Sequence, residues 1–121
     1  MKVKICGVTR EEDVKLSVEL GAWAVGLVFA KSSPRRLTFE RAAALRRVIP
    51  KSVLAVGVFE DALAAELSAA VAACRLDAVQ LHGAWPSFFE EACLIPIFRA
   101  LSLRRGRPFP PVSTRVSAVL L

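Results

Sequence analysis

The stretch Lys2-Val3-Lys4-Ile5-Cys6-Gly7-Val8-Thr9 predicts a short strand, a sharp bend and the start of a helix. Its β-branched residues alternate with lysines, which is typical of a strand, and Gly7 can adopt backbone angles that other residues avoid. Thr9 and Glu12 have the spacing of a capping box, so we expect the first helix to begin there. Cys6 is therefore predicted to lie at the carboxyl end of a strand, beside the N-terminus of a helix.

The same alternation of strand and helix continues along the chain. Apolar runs predict further strands at about residues 23–29, 53–59, 78–81, 95–100 and 116–121. The helices between them are marked by Gly21 as a C-cap, by Thr38 and Asp61 as N-caps, and by Pro86 in the first turn of a short fourth helix. Because parallel neighbours require crossover connections, this order predicts an α/β fold with a parallel sheet. Both an open flavodoxin-like layer and part of a (β/α)8 barrel fit the pattern.

Composition narrows the class of protein. The chain has 121 residues, 55% of them hydrophobic, which predicts a single domain over residues 1–121 with a sheet buried on both faces. Charges near the start interrupt any secretory segment and no uncharged run could span a bilayer, so we expect a cytoplasmic protein without a membrane partner. The net charge is +6, but the arginines are scattered, and no nucleic-acid partner is expected.

Three polar residues follow predicted strands, at the edge where parallel α/β proteins form their active sites: Cys6, Arg35 and His82. A thiol there can be a base or nucleophile, or a small core residue. An arginine can bind a carboxylate or phosphate, or remain solvated. The single histidine can transfer protons near neutral pH, but no carboxylate partner is apparent, so we favour a role as substrate ligand. We expect no cofactor and no metal, because the sequence has neither a Gly-x-Gly-x-x-Gly pattern nor paired metal ligands.

Four blocks of sequence resemble a known family: Lys4-Ile5-Cys6-Gly7-Val8-Thr9, Gly26-Leu27-Val28-Phe29 with Ser33-Pro34-Arg35 after it, Val56-Gly57-Val58-Phe59, and Val79-Gln80-Leu81-His82-Gly83. In this order and spacing they resemble phosphoribosylanthranilate isomerase of tryptophan biosynthesis. The resemblance implies a TIM-barrel enzyme that performs an Amadori rearrangement without a cofactor. Its substrate would be N-(5-phosphoribosyl)anthranilate and its product 1-(2-carboxyphenylamino)-1-deoxyribulose 5-phosphate.

The resemblance also implies roles for individual residues. Cys6 matches the general base of the family, which removes the proton from C2 of the ribose after ring opening. Arg35 matches the arginine that contacts the anthranilate carboxylate, with the neighbouring Arg36 as the alternative. Gln80 and His82 match residues that line the substrate pocket.

A complete barrel of this family needs at least about 200 residues, so the resemblance implies a partial barrel of five to six parallel strands with four or five helices. The general acid of the family, an aspartate, is expected just beyond Leu121, and its glycine-rich phosphate loops have no match in the sequence. We therefore expect the 121-residue chain alone to be inactive and to self-associate through unpaired sheet edges. The alternative is a non-catalytic half-barrel that binds a phosphosugar or associates with another chain.

Overall fold

A computed structural model describes residues 1–101, 105, 106, 108 and 117–120. Its strands are β1 (Lys4–Cys6), β2 (Ala24–Val28), β3 (Leu54–Glu60), β4 (Ala78–His82), β5 (Ile97–Ala100) and β6 (Ala118–Leu120). Its helices are α1 (Glu11–Glu19), α2 (Phe39–Val48), α3 (Ala64–Cys74) and α4 (Ser87–Ala92). The six strands and four helices of this part of the chain agree with the numbers expected of a partial barrel.

The strands form one parallel sheet in the order β1-β2-β3-β4-β5-β6. Every strand is hydrogen-bonded to the next strand in the sequence, with no reversal of direction along the sheet. A flavodoxin-like layer instead reverses its strand order at a switch point, which is where its ligand binds. The flavodoxin-like interpretation is therefore wrong, and the order is that of a barrel wall.

The two faces of the sheet carry separate apolar clusters because successive side chains of a strand point to opposite faces. One face packs against the helices, and its cluster includes Val25 and Leu27 of β2 and Val79 and Leu81 of β4. The other face carries a smaller cluster: Ala24, Val56, Ala78 and Phe98, with Trp23 and Leu54 against it. We call this second side the inner face. Burial on both faces explains why β2, and β3 up to Phe59, are continuously apolar in sequence.

Two of the predicted helix boundaries are confirmed by their contacts. The hydroxyl of Thr38 accepts a hydrogen bond from the amide of Arg41 at 3.2 Å, so Thr38 is the N-cap of α2. Gly21 has φ of +82° just after α1, as a residue that ends a helix often does. Pro86 precedes α4 as its N-cap, one position earlier than its predicted place inside the first turn.

The predicted capping box at Thr9 is wrong. The N-cap of α1 is Arg10, without a side-chain capping bond. The guanidinium of Arg10 instead binds the carboxylate of Asp13 with two hydrogen bonds of 3.0 Å, which lowers the pKa of that carboxyl. Acidic residues in the first turn also favour the positive end of the helix dipole. The predicted N-cap at Asp61 is wrong as well, because α3 begins after Leu63.

The first strand lies at an open edge of the described sheet. Within the described residues β1 pairs with β2 alone, and the sheet does not close. Four apolar side chains beside this edge are exposed: Val3, Ile5, Leu16 and Leu20. They line a groove of about 670 Å³ between β1 and α1. We call this groove the β1 edge surface.

Two other predictions fall largely outside the described residues. One is the predicted loop over residues 102–115, of which only residues 105, 106 and 108 are described. The other is the sixth predicted strand, whose two ends, Val116 and Leu121, are not among the described residues. Among the residues that are described, no helix has the length and apolar character needed to cross a membrane.

The helix α3 ends in a strained residue. Arg75 has φ of 46° and ψ of 54°, the left-handed region that favours glycine. We predict that Arg75→Gly raises the free energy of unfolding by about 0.5–1 kcal/mol, because the relief of strain exceeds the added entropy of the unfolded chain. The midpoint of urea unfolding measures the effect. The matched control is Arg47→Gly inside α2, where the same substitution should destabilise by about 1 kcal/mol. A lower midpoint for Arg75→Gly would contradict the prediction.

Candidate active site

Cys6 ends β1 on the inner face of the sheet. It is an exposed free thiol, and it lies in register with Gly26 on β2. A Cβ atom on Gly26 would lie only 2.8 Å from the sulfur of Cys6, closer than real contacts allow. The absence of a side chain at residue 26 therefore makes the space that the thiol occupies.

Gly7 makes the bend that follows Cys6. Its φ is +80°, and its amide donates to the carbonyl of Gly26 at 3.0 Å, which extends the β1–β2 pairing by one residue. The predicted role of Gly7 as the bend is confirmed.

Arg35 packs directly on Gly7. A Cβ atom added to Gly7 would collide with the Nε atom of Arg35, so the guanidinium covers the bend next to Cys6. The loop that carries Arg35 is held by Ser33, whose hydroxyl accepts from the Arg35 amide at 3.2 Å. Arg36 instead lines a different cavity, together with Glu40 and Glu66. Of the two arginines, Arg35 is thus the one beside the thiol.

Gln80 and His82 both lie on β4 and contact each other. The side-chain nitrogen of Gln80 lies 2.8 Å from Nε2 of His82. An amide nitrogen only donates, so in this orientation Nε2 accepts and the ring proton is on Nδ1. Gln80 is 6% exposed, and its Oε1 atom is buried without a hydrogen-bond partner. An acceptor left unpaired in this way is available to a ligand that donates a hydrogen bond.

The charge environment of His82 comes from two neighbouring groups on the sheet. Burial is the largest influence and lowers the pKa of His82 below its ordinary value. The carboxylate of Glu60 raises that pKa and the ammonium of Lys4 lowers it. Glu60 lies opposite His82 in the β3–β4 register. Lys4 lies on β1, two residues before Cys6, so a charge on the first strand acts on the histidine of the fourth.

Sequence reasoning missed the residues that end β3. Glu60 is a carboxylate neighbour of His82 that was not recognised in the sequence pattern. The signal was present, since two acidic residues directly follow an apolar strand. Asp61 was assigned to helix capping, but its carboxylate accepts from the amide of Ala84 at 2.7 Å. Both residues lie at the same carboxyl edge as the predicted site.

The candidate site therefore consists of two contacting pairs at one edge of the sheet. Arg35 packs on Gly7, the residue after Cys6, and Gln80 contacts His82. No hydrogen bond in the described part of the chain joins one pair to the other. The other two cysteines belong to the helix-facing side: Cys74 ends α3 with its thiol against the Phe39 carbonyl of α2, and Cys93 packs against the helix-facing core. In the same part of the chain, no cluster of three potential ligands could hold a metal ion.

Comparison with known proteins identifies the family to which the chain belongs. The model of the N-(5'phosphoribosyl)anthranilate (PRA) isomerase family matches residues 3–108. The chain belongs to this family. The isomerase of Syntrophomonas wolfei is 45% identical over 104 residues, which are 85% of this chain and 50% of that relative. Resemblance to the PRA isomerase family and the partial-barrel fold are thus confirmed.

Solved structures of family members agree with the fold. The phosphoribosyl anthranilate isomerase of Thermus thermophilus is 41% identical with a TM-score of 0.79, and the match covers 85% of this chain and 52% of that one. A second structure is of a phosphoribosyl anthranilate isomerase in complex with reduced 1-(o-carboxyphenylamino)-1-deoxyribulose 5-phosphate. It matches with a TM-score of 0.80 and 37% identity, over 86% of this chain and 55% of that one. The chain thus spans about half the length of the relatives it matches.

The contact between Gly7 and Arg35 can be measured through stability. We predict that Gly7→Ala destabilises the fold for two reasons. The left-handed backbone at residue 7 costs roughly 1–2 kcal/mol for any residue with a side chain, and the collision of the new methyl group with Arg35 adds a further loss. Gly21→Ala is the matched control, since Gly21 has φ of +82° but nothing within 4 Å of an added Cβ. Urea unfolding of both variants measures the difference.

A double-mutant cycle assigns that difference to the arginine. Adding Arg35→Ala to Gly7→Ala should remove the extra destabilisation of Gly7→Ala over Gly21→Ala. Adding Arg35→Ala to Gly21→Ala should bring no such recovery of stability. Equal losses for the two glycine variants would show that Arg35 does not pack on the bend.

Proposed function

We propose that this chain supplies the base and the carboxylate-binding half of a phosphoribosylanthranilate isomerase site. The observation that carries the proposal is the packing of Arg35 on Gly7, directly beside the Cys6 thiol. A carbon acid needs a base next to it, and a planar guanidinium suits a carboxylate. The family membership supports the same reaction, the Amadori rearrangement of N-(5-phosphoribosyl)anthranilate.

In this proposal Cys6 acts as the general base. After the ribose ring has opened to the imine, the thiolate takes the proton from C2. The electron pair of that C–H bond forms a C1–C2 double bond, and the imine nitrogen accepts the displaced pair and a proton. The resulting enaminol becomes the aminoketose when its C2 hydroxyl loses a proton and C1 gains one. A thiolate is the form of cysteine that can act in this way.

The other candidate residues hold the substrate. Arg35 binds the anthranilate carboxylate with its guanidinium, and Arg36, which lines a separate cavity, does not. Gln80 and His82 line the pocket, and the unpaired Oε1 of Gln80 accepts a hydrogen bond from a substrate hydroxyl. No cofactor takes part, because the substrate itself is both oxidised at C2 and reduced at C1.

The phosphate-binding groups and the general acid come, in this proposal, from the second half of a barrel. The chain spans about half of its relatives, so a polypeptide of these 121 residues alone is expected to show no turnover. The enzyme would act where the reaction belongs, in tryptophan biosynthesis in the cytoplasm.

A chimera tests the proposed roles. Residues 1–100 of this chain replace the matching half of the Syntrophomonas wolfei relative, and isomerase turnover is measured. We predict activity for the chimera and none for the 121-residue polypeptide. In the chimera, Cys6→Ala should lower kcat by about 10²–10⁴ because the general base is lost. Arg35→Ala should raise KM roughly tenfold or more because a charged hydrogen-bond donor is lost.

Matched variants control for general damage to the fold. Cys93→Ala should leave kcat unchanged and Arg36→Ala should leave KM unchanged, since neither residue belongs to the proposed site. Full kcat in the Cys6→Ala chimera would refute the base, and turnover by the 121-residue polypeptide would refute the need for a second half.

The exposed β1 edge favours a second candidate function, association with another chain. Ile5 is 39% and Leu20 78% exposed on the β1 edge surface, and the edge of β1 is open to pairing. Contiguous exposed apolar side chains beside an unpaired strand are a common cause of association. In this alternative the half-barrel binds a phosphosugar without catalysis or pairs with a second chain.

Light scattering tests the association. We predict that the molar mass measured at high protein concentration exceeds the monomer mass of 13.1 kDa. Leu20→Glu should shift it toward monomer because it places a charge in the apolar groove. Leu63→Glu is the matched control, since Leu63 is 68% exposed away from the β1 edge surface. A monomer at every concentration would contradict the association.

A further inference from the structure

Glu60 and Asp61 stand where the chain leaves β3, between two loops that reach the candidate site. Glu60 is the last residue of β3, and Asp61 follows with φ of 47°. The left-handed region is unfavourable for any residue other than glycine, and asparagine and aspartate tolerate it best. Glycine would make the same turn with less strain, so an aspartate here indicates that the side chain of residue 61 has a role of its own.

Asp61 binds both sides of the turn that follows β4. Its amide donates to the carbonyl of His82 at 3.1 Å, and its carboxylate accepts from the amide of Ala84 at 2.7 Å. Gly83 lies between these two contacts with φ of +66°, and a Cβ atom there would collide with the carboxylate of Asp61. The Asp61 side chain thus seats closely on the turn that carries His82.

Glu60 reaches the loop on the opposite side. Its carboxylate accepts a hydrogen bond from the hydroxyl of Ser32. Ser32 is in the loop between β2 and α2, and the adjacent Ser33 holds the amide of Arg35. Glu60 also lies opposite His82 in the strand register. One carboxylate therefore faces the Arg35 loop and the next faces the His82 turn.

We propose that Glu60 and Asp61 are positioning residues that together hold the Arg35 loop and the His82 turn in place around the site. The value of that placement for ligand binding rests on the proposed function, whereas the placement itself does not. Neither residue is required to touch the substrate: Asp61 acts through Gly83 and Ala84, and Glu60 through Ser32. The acceptor at residue 61 explains why the chain tolerates a strained non-glycine residue there.

The single histidine of the chain makes a specific probe. Nuclear magnetic resonance of the ligand-free protein, with labelled histidine, gives the pKa of His82, and amide exchange gives the protection of Ala84. The charged groups that influence His82 are Glu60 on β3 and Lys4 on β1. Both remain in every variant of Asp61, and Asp61→Gly and Asp61→Asn lose the same charge, so a difference in the His82 pKa between these two variants reports its burial.

Substitutions of Asp61 separate its side chain from its backbone angle. Asp61→Gly relieves the strain but removes the acceptor, so Ala84 amide exchange should become about tenfold faster. The pKa of His82 should rise toward its ordinary value, since burial is what lowers it. Asp61→Asn keeps an acceptor oxygen and should preserve both readouts. If residue 61 contributes only its backbone turn, the Ala84 amide will stay equally protected in Asp61→Gly. Unchanged Ala84 exchange in that variant would overturn the proposal.

Substitutions of Glu60 give the opposite pattern. Glu60→Gln removes the charge that raises the His82 pKa, so that pKa should fall further, with Ala84 protection unchanged. Glu60→Gln retains an acceptor for Ser32, whereas Glu60→Ala does not. Only Glu60→Ala should therefore speed amide exchange at Arg35. Unchanged exchange at Arg35 in Glu60→Ala would refute the Glu60 half of the proposal, and circular dichroism of each variant verifies its fold.

A separate arm tests the link to ligand binding. Reduced 1-(o-carboxyphenylamino)-1-deoxyribulose 5-phosphate is added to the chimera described above and to its Asp61→Gly variant, and binding is measured by isothermal titration calorimetry. Weaker binding by Asp61→Gly, by about tenfold, supports positioning for the ligand. Equal binding by the two proteins overturns that part. Absence of binding by the chimera without the Asp61→Gly substitution counts against the proposed function, while the ligand-free readouts on the 121-residue chain still decide the positioning.

Discussion

The alternation of side chains along parallel strands determines where the strand residues of the candidate site lie, namely Cys6, Gln80 and His82. In β4, Ala78 packs in the inner-face cluster, and Gln80 and His82 follow it at intervals of two. In β1, Cys6 meets Gly26 on that same face. A shift of one residue in the pairing would turn the glutamine and the histidine toward the helices. The apolar residues that occupy the helix-facing side, such as Leu81, make that shift costly, because they would be exposed in exchange.

Features that depend on neighbours in sequence could be predicted from the sequence. Thr38 caps a helix through a residue three positions later, and Gly21 ends one through its own backbone angles. Cys6 and His82 were expected at the carboxyl edge because each follows an apolar run, and the strands end there. The strand order could not be obtained in this way. Periodicity is the same in an open layer and in a barrel wall, so family resemblance was needed to choose between them.

Features that depend on distant residues were missed for a physical reason. Aspartate is a good helix cap and also tolerates a left-handed backbone, so Asp61 fitted two roles equally well in sequence. Its bond to Ala84 spans 23 positions and decides between them. The error at Thr9 is local instead: Arg10 is the N-cap of α1 and binds Asp13 three positions later, so the helix begins one residue later than the capping-box spacing predicts.

The open edge of β1 has a chemical consequence for Cys6. The residue is exposed in a strand that has one neighbour in the described sheet, so small oxidants can approach the thiol from the unpaired side. Oxidation to the sulfenic acid would remove the thiolate that the proposed general base requires, and further oxidation would be irreversible. Covering the β1 edge would therefore protect the sulfur as well as bury apolar side chains. In the proposed function, assembly of the barrel and the lifetime of the Cys6 thiol against oxidation would therefore depend on the same strand.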